Sequence, residues 1–282
     1  MNKKLLALYG LKWNPFSPQL PTEALLVTAA VEELAWRIEN AHVREGGFAL
    51  ITGAPGTGKS VALRLIAARL ALVPDLTVAA LTHPSANLAD FYRELGELFG
   101  VDLKPHNRWM GFKSLRGRWL AHLEATLLRP VLLADEAQEL EPCVLNERYL
   151  LASSQFDSQA LLSAVLCGDQ RLTERLRRDE LLPLGSRIRV RLTLEHASRE
   201  ELRACLEHLC RAAGNPSLFA PGLAQTLADH ALGNYRVLTH LAAELLAHAA
   251  RHDLTQIDEK LFLEVFHTER NARAPRPRVR SA

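Results

Sequence analysis

The chain has 282 residues, of which 48% are hydrophobic and 23% are charged. This length allows for two domains, since single domains usually hold about 100–200 residues, and it excludes a peptide hormone or a lone binding module. Its apolar runs are shorter than the roughly 20 residues that cross a bilayer, so we expect a cytoplasmic protein with no membrane partner.

The formal net charge is +2, and its basic part is local. The stretch Arg270–Ala282 holds five arginines and no acid, leaving the other 269 residues with 29 basic and 32 acidic side chains. Because this stretch is also rich in proline, we expect residues 268–282 to be a disordered basic tail.

Short apolar runs alternate with helical patterns as far as Leu194, which indicates an α/β fold with a parallel sheet. We predict strands at Phe48–Thr52, Leu76–Leu81, Val131–Ala134, Leu162–Cys167 and Ile188–Leu194. After these, only helical periodicity remains, at Ser198–Ala213, Pro221–His230, Asn234–His252 and Gln256–Phe266. The sequence therefore predicts a nucleotide-binding α/β domain over 1–195 and a helical domain over 196–267.

A phosphate-binding motif follows the first predicted strand. It fits G-x-x-x-x-G-K-[ST] and lies between a strand and a helix, as this motif requires. Glycines allow backbone N–H groups to surround phosphates, while the lysine reaches the terminal phosphates and the hydroxyl binds Mg²⁺. We expect ATP to bind at Gly53, Ala54, Pro55, Gly56, Thr57, Gly58, Lys59, Ser60 and Val61.

A pair of acids follows the third predicted strand. Asp135 at the end of a buried strand can hold Mg²⁺ together with Ser60, and the adjacent Glu136 can activate the attacking water. This division of roles suits a hydrolase better than a kinase. The alternative is a pair of acids that caps the next helix.

With these two motifs the chain resembles the AAA+ ATPases, a resemblance that implies a P-loop NTPase fold with a C-terminal helical lid. It places the first sensor, which positions water, at Asp169 or Gln170, although the usual Asn, Ser or Thr is absent. It implies that Arg187 is an arginine finger inserted into a neighbouring subunit, with Arg189 and Arg191 as rivals on the same strand. It implies that Arg236 is the second sensor.

The opening Tyr9–Ser17 resembles the Phe/Tyr-Gly-Leu-x-x-x-Pro-Phe opening of the ExeA-like branch, which includes or neighbours the transposition ATPases TniB, TnsC and IstB. This branch resemblance implies that Trp13, Pro15 and Phe16 line an adenine pocket. The alternative is a strap that packs on the core, and both can hold together.

Basic and aromatic residues alternate between Leu103 and Leu123, without an acid. Such a mixture suits contact with double-stranded DNA, through Lys104, Lys113, Arg116 and Arg118. The alternative is that the tryptophans pack in the core at helical spacing while the charges keep a surface soluble, and for the aromatics we favour it. The arginine-rich tail is a rival DNA site.

Three functions are compatible with these features. The first is an ATPase that assembles with itself on DNA, as a ring or filament, and recruits or activates a transposase or related recombination protein. The second is an ExeA-like ATPase of secretion; relatives of that kind add a membrane segment and a cell-wall-binding region, and the chain ends at Ala282 with neither. The third, a metabolic kinase, needs neither the helical domain nor the Ser186–Arg187 pair. We expect the first, with ATP and Mg²⁺ as cofactors.

Overall fold

The computed structural model describes residues 2–81, 87–102, 107–154 and 159–273, with the backbone alone for residues 2, 154 and 267–273. The described chain divides into two units. The sheet unit is Val27–Glu195, and the helical unit joins the residues that precede Val27 to those that follow Glu195. The opening residues thus group with the helical unit, whereas the predicted boundaries had them with the sheet.

The sheet unit is built on five parallel strands, which are β1 (Gly47–Gly53), β2 (Val78–Leu81), β3 (Val131–Ala134), β4 (Ser163–Gly168) and β5 (Ile188–Leu194). Their spatial order is β2–β3–β4–β1–β5. The predicted strands are confirmed, and none of their ends differs by more than two residues from those observed.

The helices carry the crossovers of the sheet and make up the helical unit. A π-helical turn, Ile38–His42, and a short helix, Val43–Glu45, follow the helix Ala29–Arg37. One 3₁₀ turn, Ala137–Glu139, follows β3, and another is Thr22–Ala24. A two-stranded antiparallel pair joins Ser153–Ser154 to Gln159–Ala160. The helices are α1 (Asn2–Tyr9), α2 (Ala29–Arg37), α3 (Lys59–Leu70), α4 (Leu88–Phe99), α5 (Arg108–Thr126), α6 (Pro142–Ala152), α7 (Gln170–Arg175), α8 (Leu182–Gly185), α9 (Arg199–Ala212), α10 (Pro221–Ala231), α11 (Tyr235–Arg251) and α12 (Glu259–Arg273).

Two apolar layers cover the central strands because successive side chains of a strand point to opposite faces. On β1, Phe48 and Leu50 join the layer of α4, α5 and α6, whereas Ala49 and Ile51 join the layer of α2 and α3. Every residue of β3 and β4 is buried. This double burial explains why those strands are apolar throughout.

The helical unit has its own core, and the opening segment is part of it. The hydroxyl of Tyr9 donates to the carbonyl of Leu254 at 2.7 Å, and the ring of Phe16 stacks on Phe219 with centroids 5.6 Å apart. Among the described helices of the chain, none is both long and apolar enough to cross a membrane.

The two tryptophans of α5 allow a test of this packing. Trp119 is fully buried and meets the ring of Phe99 edge-on, whereas Trp109 is 71% exposed. We expect Trp119→Ala to lower the free energy of unfolding by about 3–5 kcal/mol, because it leaves a cavity. Trp109→Ala, the control on the same helix, should change it by less than about 0.5 kcal/mol. Urea unfolding followed by circular dichroism measures both, and equal losses would contradict this packing.

Candidate functional site

The loop between β1 and α3 depends on glycine at three positions. Gly56 and Gly58 have φ angles of +83° and +96°, in the left-handed region that glycine enters without steric cost. Gly53 is required for a different reason. A Cβ atom there would lie 2.5 Å from both the carbonyl oxygen of Leu194 and the hydroxyl of Thr57. The loop therefore curls tightly against the end of β5.

Two side chains hold this loop from within. The hydroxyl of Thr57 donates to the carbonyl of Ala54 at 2.9 Å, and the ammonium of Lys59 donates to the same oxygen at 3.1 Å. Lys59 is only 7% exposed, although an ammonium has three donors to satisfy. Ser60, in the first turn of α3, is exposed. The lysine is thus already positioned over the loop.

These residues fit the phosphates of a nucleotide. The loop ends at the N-terminus of a twelve-residue helix, where backbone N–H groups and the helix dipole favour an anion. The cradle formed around Gly53 leaves no space for a side chain. Loop, lysine and helix end together have the chemistry that phosphate groups require.

The acids of the second motif lie at the same edge of the sheet. Asp135 follows β3 and is half-buried, and Glu136 is exposed. The thiol of Cys167, on the neighbouring β4, is near both motifs. Its pKa is raised by burial and then by Asp135, while the charge of Lys59 acts in the opposite direction. The carboxylate of Asp135 and the hydroxyl of Ser60 are oxygen donors of the kind that Mg²⁺ prefers.

Glu136 has an unusual backbone conformation. Its φ angle is +47°, in the left-handed region, and its N–H donates to Asp135 Oδ1 at 2.9 Å. Its carboxylate accepts a hydrogen bond from the side chain of Gln138, a residue that the sequence analysis did not single out. Residues other than glycine occupy this region infrequently and often at functional sites.

Asp169 follows β4, the strand between β1 and β3, and caps α7. Its carboxylate accepts from the backbone N–H of Arg171 at 2.9 Å and from the guanidinium of the same residue at 2.8 Å. The acids Asp169 and Glu139 raise the pKa of Arg171. Gln170, the other predicted sensor, is exposed. A sensor role for Asp169 or for Gln170 stays a prediction.

Arg187, the predicted finger, is half-buried at the start of β5. Its guanidinium lies over the ring of Tyr149, 4.4 Å from the centroid, and donates to the carbonyl of Pro183 at 2.8 Å. Arg189 forms an ion pair, and Arg191 donates to a backbone carbonyl at 3.0 Å. Tyr149, on α6, is a platform that the sequence analysis missed.

Within the helical unit, Arg236 lies exposed in the first turn of α11. Asn234 caps that turn, with its side chain accepting from the backbone N–H of Arg236 at 2.9 Å. In the opening segment, Pro15 and Phe16 are buried and Trp13 is half-buried. The roles of these residues toward a nucleotide stay predictions.

The predicted DNA-binding residues have different surroundings. Lys113 and Arg118 are exposed, whereas Arg116 donates to the carbonyls of Leu151 at 3.0 Å, Leu150 and Ser153. Arg116 thereby holds the end of α6. Lys104, and residues 274–282 of the predicted tail, lie outside the described residues.

Comparison with known proteins identifies the fold. Residues 42–176 match the family model described as AAA domain. Cdc6p from Pyrobaculum aerophilum has a TM-score of 0.69 at 17% identity, over 86% of this chain and 67% of that one. The ORC2 protein of Aeropyrum pernix has a TM-score of 0.71 at 16% identity, over 90% and 70%. The RuvB Holliday junction branch migration motor of Thermotoga maritima has a TM-score of 0.56 at 18% identity, over 90% and 73%. The predicted P-loop AAA+ fold is confirmed, and the match to the AAA domain model lies within the sheet unit.

A curated relative adds a more specific likeness. General secretion pathway protein A of Aeromonas hydrophila is 31% identical over 223 residues, which are 78% of this chain and 40% of the relative. The chain therefore spans less than half the length of this relative. The predicted likeness to the ExeA-like branch is consistent with this match, while the match gives no support to the transposition regulators.

The glycine geometry leads to a prediction. Gly53→Ala should weaken nucleotide binding by at least roughly tenfold, because a Cβ that contacts Leu194 and Thr57 must displace the loop. Gly117→Ala is the matched control: a Cβ on that exposed residue of α5 meets nothing within 4 Å. It should leave binding unchanged and stabilise the helix by up to about 1 kcal/mol. Titration with a fluorescent ATP analogue tests both, and unchanged binding by Gly53→Ala would contradict the tight loop.

Proposed function

We propose that this protein hydrolyses ATP, with Mg²⁺, at the carboxyl edge of its sheet. One observation carries the proposal. The phosphate loop follows β1, the acids follow β3 and Asp169 follows β4, and these three parallel strands are neighbours in the sheet. The carboxyl ends of parallel strands are where ligands bind in open α/β sheets.

Each residue has a distinct role in this proposal. Lys59 and the loop N–H groups bind the phosphates, and Ser60 and Asp135 would hold Mg²⁺. When bound, the metal would neutralise charge that develops on the phosphates. Glu136 accepts a proton from the attacking water, whereas Asp169 or Gln170 senses the terminal phosphate. Arg236 in the helical unit would act as the second sensor.

Arg187 is proposed to complete the site of a neighbouring subunit. An arginine provided in trans stabilises charge on the transferring phosphoryl group. A contact of this kind is head-to-tail, so it closes into a ring or continues as a filament. The cation–π contact with Tyr149 supports a defined direction for the guanidinium.

For the pathway, the likeness to general secretion pathway protein A supports a secretion-associated role, which is the second of the three functions that the sequence allows. We therefore propose this role first. A second candidate is regulation of DNA transposition with a transposase or related recombination protein. The observation that favours DNA contact is the exposed surface of α5, with Lys113, Arg118 and Trp109. The relative's name gives no support to the transposase itself.

The catalytic roles lead to a prediction about turnover. Lys59→Ala should abolish ATP binding, whereas Glu136→Gln should bind ATP and release phosphate at least roughly 100-fold more slowly, because it loses the base and keeps Asp135. Phosphate release and binding of a fluorescent ATP analogue separate the two effects. Full turnover by Glu136→Gln would refute the proposed base.

Mixing two inactive variants tests the arginine. Glu136→Gln retains a normal Arg187, and Arg187→Ala retains a normal Glu136, so mixed assemblies contain some complete sites and should regain activity. Arg189→Ala, a change two residues further along the chain on β5, is the control and should be active by itself. An Arg187→Ala variant that hydrolyses ATP at the normal rate would contradict a role in trans.

The choice between the two pathways depends on DNA. If DNA is a partner, affinity for duplex DNA should be insensitive to sequence and steeply dependent on salt, since each phosphate contact releases counterions. Replacing Lys113 and Arg118 by alanine should then weaken binding and flatten the salt slope. Arg203→Ala, a change of charge in the helical unit, is the control. Absence of binding in fluorescence anisotropy, with and without ATP, would exclude the transposition candidate.

A further inference from the structure

Gln138 joins the ends of two neighbouring strands through its side-chain amide. Its Nε2 donates to Glu136 Oε2, and its Oε1 accepts from the backbone N–H of Asp169 at 3.1 Å. The residue is 5% exposed. A backbone N–H can only donate, so the amide oxygen must face Asp169 and the NH₂ group must face Glu136. The orientation of this amide is therefore fixed by its surroundings.

The end of β4 is shaped to accept this side chain. A Cβ atom at Gly168 would lie 2.5 Å from Gln138 Oε1, so the amide occupies the space that a side chain would fill. The backbone of the same turn is held as well. Arg175, on α7, donates to the carbonyl of Gln138 and to that of Leu140, the latter at 2.6 Å. Both the side chain and the backbone of Gln138 are thus attached to the segment that follows β4.

The bond to Glu136 restrains a carboxylate that would otherwise rotate. Glu136 is exposed and lies in a short turn with a left-handed backbone. A hydrogen bond to one carboxylate oxygen fixes the plane of the group and leaves the other oxygen available. For a proton acceptor, this orientation decides whether water is held in a productive position.

We propose that Gln138 is a positioning residue that holds Glu136 Oε2, leaves Oε1 for the attacking water and links this orientation to the β4 end at Asp169. The inference rests on the proposed function, because it assigns Gln138 to the same hydrolysis. A displacement of the Asp169 backbone when the phosphate leaves would pull on the amide and turn the carboxylate. The position of the Asp169 backbone would in this way control the orientation of Glu136.

The test uses two variants of the full chain with ATP and Mg²⁺. Gln138→Glu has nearly the same shape and retains an acceptor for Asp169, but it replaces the donor to Glu136 by a second carboxylate. Gln138→Met has similar length and removes both bonds. We expect kcat to fall at least roughly tenfold in each, while the KM for ATP changes less than about twofold, since the phosphate loop is intact. Combined with Glu136→Gln, Gln138→Glu should cause no further loss of kcat.

The controls separate positioning from a general structural effect. Asn146→Ala also removes a hydrogen bond of a side-chain amide in the sheet unit, to the carbonyl of Glu180, and should retain normal kcat. Circular dichroism verifies folding, and if Gln138→Met does not fold, the isosteric Gln138→Glu decides. Normal kcat in Gln138→Glu, or a further loss in the Glu136→Gln background, would overturn the inference. Failure of the proposed function would instead appear in the wild type, which would release no phosphate.

Discussion

The pairing of β4 between β1 and β3 is the constraint on which the site depends. In this register Thr52 is level with Gly168, and Ala134 is level with Leu166. The phosphate loop, the acids and Asp169 each follow one of these three strands, so the backbone hydrogen bonds between the strands set the spacing of these residues. The apolar layers on both faces hold the strands in this order and keep water away from their hydrogen bonds.

A second set of contacts lies on this framework and connects the loops to one another. Gln138 attaches the turn after β3 to the end of β4, and Arg171 joins Asp169 to Glu139 across the same gap. These contacts join the 3₁₀ turn Ala137–Glu139 to the start of α7, and short elements of this kind change more readily than paired strands. Movement of one element would therefore be transmitted to the other, as the proposed link between Asp169 and Glu136 requires.

The sequence predicts the strands and the phosphate loop closely, because both follow from local pattern. Apolar runs mark strands buried on two faces, and the glycines at 56 and 58 mark a loop with left-handed residues. Local pattern cannot reveal contacts between distant residues. Gln138 meets Asp169, Arg187 meets Tyr149, and Arg116 holds the end of another helix. A basic residue assigned to DNA by composition can in this way stabilise the fold.

The tryptophans of α5 and the opening segment illustrate the same limit. Helical spacing places Trp119 in the core, as expected, but it does not indicate that Trp109, ten residues earlier, is exposed. The opening segment packs on residues more than 200 positions away, with Tyr9 against Leu254 and Phe16 against Phe219. Its grouping with the helical unit follows from these contacts, which only the folded chain displays.

Phosphate release from ATP by the wild-type protein, measured over a wide range of protein concentrations with Mg²⁺, tests the central claim most directly. In the proposed function the site at the sheet edge takes one arginine from a neighbour, so the account predicts slow release in dilute solution and a rate per subunit that rises with concentration. A rate per subunit that is independent of concentration would contradict the shared site. No release at any concentration would contradict hydrolysis itself.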